Sequence, residues 1–140
     1  MWAELSFQGN TTLSADIDDN ICLGPGGENV VTFGDLGSDT LAAACEYDIQ
    51  EAGYDTIYEA DVKLNKVEFD WTTTPLSSSC TAEWDVESVM THERGHTFGL
   101  GDLSESNHGA LTMSADAEGP CKMGSRTLGK SDIKGLENKY

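Results

Sequence analysis

The twelve residues Thr91-His92-Glu93-Arg94-Gly95-His96-Thr97-Phe98-Gly99-Leu100-Gly101-Asp102 constrain this chain more than any other stretch. His92 and His96 are four apart, which on a helix puts both imidazoles on one face, one turn apart. Two neutral imidazoles so placed can hold one Zn²⁺ at about 2.0–2.1 Å. Glu93 stands beside the first of them, where a carboxylate can accept a proton from a water acidified by the metal. Gly99 lies three residues past His96 and can adopt the positive φ that ends a helix. The chain can then return Asp102 as an oxygen ligand. Three protein ligands leave a fourth position for water, the pattern of a catalytic rather than a structural zinc. A bare H-E-x-x-H arises by chance; Gly99 and Asp102 at their offsets make the pattern specific. The chain has only three histidines, and two of them fall here.

The stretch resembles the metzincin metallopeptidase motif H-E-x-x-H-x-x-G-x-x-H/D, met by His92, Glu93, His96, Gly99 and Asp102. Most metzincins place histidine last; a minority, the snapalysin-like enzymes among them, place aspartate. The resemblance implies a zinc-dependent endopeptidase with Glu93 as general base. It also implies an α+β fold, a twisted mixed β-sheet with an active-site helix, a Met-turn and a C-terminal helix. Leu111-Thr112-Met113-Ser114 resembles the Met-turn, which would place the Met113 thioether beneath the zinc. His108 competes with Asp102 as third ligand by residue type, but it lies twelve past His96, outside the family spacing. An aspartate ligand reduces the net charge of the site and implies an activity optimum on the neutral-to-alkaline side.

The remaining sequence sets bounds on this reading. At 140 residues the chain is one catalytic domain, with an upper sheet region over about residues 1–100 and a lower Met-turn and C-terminal helix region over about 101–140. Its 25 acidic and 8 basic residues give a formal charge of −17. That charge argues against nucleic-acid and anionic-membrane partners, and the apolar runs are too short to span a bilayer. It suits a secreted enzyme acting on proteins or peptides, and equally a saline habitat. Nothing after Met1 reads as a signal peptide, so a secreted form would have lost its leader. Oligomeric state is not legible.

Ala3–Gly9 alternates and reads as a strand, followed by a polar loop over Asn10–Gly27. Asp16, Asp18 and Asn20 within it miss the EF-hand pattern, because Ile21 and Gly27 occupy its glycine and glutamate positions. Asn29–Phe33 and Ile57–Asn65 read as strands, with Val67–Trp71 a candidate extension of the second. The alanines of Thr40–Tyr47 taken alone suggest a helix. Phe33-Gly34-Asp35-Leu36-Gly37 and Leu41-Ala42-Ala43-Ala44, however, resemble the matrixin loop and rim strand. The resemblance therefore implies an edge strand at Ala42, Ala43 and Ala44 that binds an extended peptide, with Asp35 and Asp39 as calcium candidates. Asp85 is a candidate N-cap for the active-site helix. Arg94 is expected to face solvent, Leu103–Ala110 to be a polar loop, and Ser131–Tyr140 to be the closing helix.

Four cysteines allow three pairings, and an even count in a secreted-looking chain reads as two disulfides. In the resemblance, Cys22–Cys45 would tie the acidic loop to the rim strand. Cys80–Cys121 would tie the start of the active-site helix to the pocket wall. Metzincins also place a strand and a long helix ahead of the elements visible here, and the chain as read lacks them. Two other classes remain: a zinc- and peptide-binding module without turnover, and an acidic calcium-dependent interaction domain. Glu93 argues against both, since a structural zinc site has no use for a carboxylate beside its ligand.

Overall fold

In the computed structural model, residues 24–37, 39–51, 54–115 and 119–140 are described. The expectations over residues 1–23, including the Ala3–Gly9 strand and the Cys22 half of the Cys22–Cys45 pairing, lie outside them. The architecture is mixed α+β. Strands β1 (Val31–Gly34), β2 (Ala42–Glu51) and β3 (Tyr54–Asn65) form a small mixed sheet in the order β1-β3-β2. β1 runs parallel to β3, with Val31 opposite Val62. β2 runs antiparallel, with Ala42 opposite Leu64 and Ala44 opposite Val62. β2 is thus one edge of the sheet among the described residues.

β3 explains why the sheet forms. Its side chains point alternately to the two faces of the sheet, as in any strand, and over its second half both faces are buried. Val62 and Leu64 are buried in the small apolar core with Val89 and Met113. Glu59, Asp61, Lys63 and Asn65 point the other way and are also buried. Buried polar groups need partners, and here they anchor neighbouring chain. Glu59 accepts from the Gly26 and Gly27 amides at 2.5 and 2.7 Å, and Asp61 accepts from Val30 N at 2.9 Å. The Asn65 amide donates to Gly37 O and Thr40 O, both at 2.9 Å.

The expected extension through Val67–Trp71 does not form. The Asn65 side chain accepts from Val67 N and Glu68 N, which turns the backbone out of the ladder. Trp71–Thr72 (β4) instead pairs with Trp84–Asp85 (β5) in a separate two-stranded sheet. The alanines of β2 are extended rather than helical, because pairing and packing against β3 override their helix propensity.

Helix α1 (Val86–Thr97) packs beneath β2 and β3. Asp85 caps it, accepting from Ser88 N at 3.0 Å and Ser88 Oγ at 2.8 Å. The same carboxylate, only 2% exposed, receives Arg126 Nε and Nη2, each at 2.8 Å. The Leu103–Ala110 segment is not wholly loop: Glu105–His108 forms a single helical turn, α2, started by Ser104. After a 3-10 turn at Gly124–Arg126 comes α3 (Lys130–Lys139). Gly135 lies inside α3 where a side chain would crowd α1's exit: an added Cβ would sit 3.2 Å from Leu100 Cδ2. Lys139 Nζ donates to Gly99 O at 2.6 Å and Tyr140 Oη to Phe98 O at 3.2 Å, tying α3 to the end of α1. None of these helices is long and apolar enough to cross a membrane. Cys80 and Cys121 are disulfide-bonded across 41 residues, and Cys121 N donates to Glu83 O at 2.9 Å.

Two stability predictions follow from these anchors. Burial opposes ionisation of Asp85, but the Arg126 and Ser88 hydrogen bonds outweigh it and hold its pKa below the usual carboxylate range. A depressed folded-state pKa adds stability above the unfolded value near about 3.9, and that stability is lost as pH falls below it. Asp85→Ala should cost roughly 3 kcal/mol at neutral pH, through loss of the cap and the stranding of Arg126. Denaturant melts should find that deficit shrinking below about pH 4; a pH-independent deficit contradicts the assignment. Separately, Cys80→Ser with Cys121→Ser should destabilise the fold by about 4 kcal/mol in the chain-entropy account, and an unchanged unfolding midpoint counts against it.

Candidate metal centre

Helix α1 places His92 and His96 on one face, with their Nε2 atoms 3.1 Å apart and the rings at 82°. The helix ends where the sequence predicts: Gly99 has φ 77°, its amide donates to His96 O at 2.5 Å, and Leu100 N donates to Gly95 O at 3.0 Å. This reversal brings Asp102 back over the histidines. Its Oδ1 lies 3.3 Å from His92 Nε2 and 3.4 Å from His96 Nε2. His108, on α2, is not part of the group.

The imidazole protons are fixed by what stands behind them. His92 Nδ1 is 2.7 Å from Thr112 O, and His96 Nδ1 is 2.8 Å from Leu100 O. A carbonyl oxygen only accepts, so each Nδ1 carries the hydrogen and each neutral ring turns a bare Nε2 lone pair to the centre. Two imine nitrogens and a carboxylate oxygen therefore converge within 3.4 Å of one another. With both rings neutral the convergence is repulsive, and it is relieved by a metal ion between the three or by a proton on one Nε2. Ligands of a tetrahedral ion at about 2.0–2.1 Å are about 3.3–3.4 Å apart. The donor set and its spacing thus fit zinc.

The supporting residues come from farther along the chain. Thr112 is held from two further sides, its amide donating to Asp132 Oδ2 at 3.1 Å and its hydroxyl to Thr127 O at 2.8 Å. Met113 is 1% exposed and lies against Gly95, where an added Cβ would overlap its Sδ and sit 2.9 Å from its Cε. A side chain at position 95 would have to displace the Met113 thioether. Leu103 N donates to Met113 O at 2.8 Å and Ala115 N to Leu103 O at 2.9 Å, pinning the residue after Asp102 to the same segment.

Glu93 is 6% exposed and faces β2. Burial pushes its carboxyl pKa up; His92 and His96 oppose that, Asp102 adds to it, and the Ala44 amide opposes it. A cation at the centre would draw it back down. Around the centre runs a cleft of about 870 Å³, with Ala42, Ala43 and Ala44 on one wall and Ala115, Gly119 and Lys122 among the residues lining it.

The structure does not gather every expected ligand. Among the described residues, Asp35 and Asp39 join no cluster of three histidine, cysteine or acidic ligands. Asp35 Oδ1 instead accepts from Gly37 N at 2.8 Å in a local turn. Cys80, Glu83 and Cys121 do converge, but their sulfurs are bonded to each other. Arg94 is half-buried rather than turned fully to solvent. The sequence reading missed Thr112, Leu100 and Asp132. The carbonyls carry no residue-type signal, whereas Asp132 was findable as the acidic residue three after Gly129 at a helix start.

The chain matches no known protein family, no curated protein and no solved structure.

The ligand assignment is testable by zinc stoichiometry after dialysis. Asp102→Ala should lower zinc affinity by at least roughly tenfold, whereas His108→Ala should leave one zinc bound. An emptied site in His108→Ala and a full one in Asp102→Ala would reverse the assignment.

Proposed function

We propose that the chain is a zinc-dependent endopeptidase of metzincin type. The observation that supports this most is the convergence of two imine nitrogens and a carboxylate oxygen, with the buried Glu93 carboxylate next to the first ligand. Three protein ligands, with Asp102 itself 58% exposed, leave the centre open toward solvent and substrate. A purely structural zinc would have a closed four-ligand shell. The finer fold reading rests on the same ground: an antiparallel edge strand above α1, Met113 beneath Gly95, and α3 closing the chain.

His92, His96 and Asp102 would hold the zinc. Once bound, the ion supplies Lewis acidity, making a water more acidic and a peptide carbonyl more electrophilic. The chain's own residues do the rest. β2 offers backbone donors and acceptors along its edge, so an extended peptide can add as a further strand and be held across the centre. Glu93 takes the proton of the attacking water and passes it to the leaving amine nitrogen as the C–N bond breaks. Burial of Glu93 keeps its carboxylate from being dispersed in bulk water and aims it at one place. Thr112 and Leu100 keep each imidazole in the tautomer that binds a cation. No serine or cysteine nucleophile takes part, so no acyl-enzyme forms.

Casein hydrolysis tests the reading. The zinc-loaded protein should cleave it, a chelator should abolish cleavage, and re-added zinc should restore it. Glu93→Ala should retain zinc and fold while losing roughly 10²–10⁴-fold in turnover. Near wild-type turnover by that variant would remove Glu93 from the mechanism.

A further inference from the structure

The carboxylates lining the cleft divide into those with a partner and those without. Asp85 is paired with Arg126, and Glu93 and Asp102 belong to the centre. Asp39 and Glu46 remain, both exposed and lining the same cleft, and of the two only Glu46 lies on β2. It follows Ala44 by two on β2, opposite Ala60, on the sheet face that Ala44 and Val62 present to α1. His96 and Lys139 are among its near ionisable neighbours, so it stands at the His96 end of the cleft. Lys139 donates to Gly99 O at 2.6 Å and forms no ion pair with Glu46 among the described residues. Among the described residues Glu46 forms no ion pair. Among the described residues, Lys122 is the one lysine lining the cleft.

A peptide lying along the β2 edge would pass the centre near Ala44, whose amide acts on Glu93, and would meet Glu46 one strand repeat farther on. We propose that Glu46 is a specificity-determining residue. It selects peptides carrying lysine or arginine about two positions from the scissile bond, on the His96 side of the cleft. The inference rests on the peptidase reading above. The chain's 25 acidic against 8 basic residues act in the same direction, drawing cationic substrates toward the cleft before contact.

The test uses quenched-fluorescence peptides that differ only in having lysine, norleucine or glutamate at one scanned position. Each is assayed for kcat/KM with fully zinc-loaded protein. Wild type should prefer lysine over norleucine by roughly 1.5-fold to fivefold at the responsive position, as expected for a solvent-exposed ion pair. Glutamate should be disfavoured there, and the preference should fade as salt rises. Glu46→Gln should level the three peptides and Glu46→Lys should invert their order. A merely structural role for Glu46 would lower all three rates together and leave the order intact. Cleavage with no charge preference, or a preference that Glu46→Lys leaves unchanged, overturns this inference alone. Failure to cleave any peptide overturns the peptidase reading and the inference with it.

Discussion

Three lone-pair-bearing atoms held within 3.4 Å of one another repel, and much of the lower half of this structure acts to hold them there. The two imidazoles cannot relieve the repulsion by shifting their protons, because carbonyl oxygens already claim the Nδ1 hydrogens. The backbone that carries the carboxylate is fixed on either side of it. Gly99 sets the reversal before Asp102, and the Leu103 bridge to Ser114 sets the path after it. An arrangement in which acceptors are aimed at one another and braced from behind is stabilised by a cation.

The bracing is concentrated in one short segment. Thr112 orients His92, Met113 fills the space beneath Gly95, and the backbone from Met113 to Ala115 pins Leu103. That segment is held in turn by Asp132 at the start of α3 and by Thr127. Asp132 is 3% exposed and shares one oxygen between the Thr112 and Gly129 amides, so a buried carboxyl group links the closing helix to the segment behind His92. With few fully buried apolar side chains among the described residues, such polar anchors carry an unusual share of the organisation. The Glu59 and Asp61 contacts to the loop over β3 are of the same kind.

The ligand face was legible because it depends on local geometry: helical spacing for His92 and His96, then a glycine reversal to Asp102. The N-cap at Asp85 was legible for the same reason, whereas the closing helix came from a resemblance, its local pattern being weakened by Gly135. The rim strand was not legible from propensity, since three alanines favour a helix until a pairing strand decides otherwise; a resemblance supplied it. The failures share a cause. The end of β3 depends on the Asn65 side chain capturing two amides ahead of it. The support of His92 depends on Thr112, twenty residues later in the chain. Pattern reading does not see contacts that backbone atoms make across the fold.

The account stands on a cation held by two imidazole nitrogens and one carboxylate oxygen. X-ray absorption at the zinc edge on the full chain loaded with one equivalent of zinc tests that most directly. The account predicts a four-coordinate site of nitrogen and oxygen ligands at about 2.0–2.1 Å, with the multiple-scattering signature of two imidazoles and no sulfur. A sulfur shell near about 2.3 Å, a third imidazole, or zinc that will not bind stoichiometrically would contradict it.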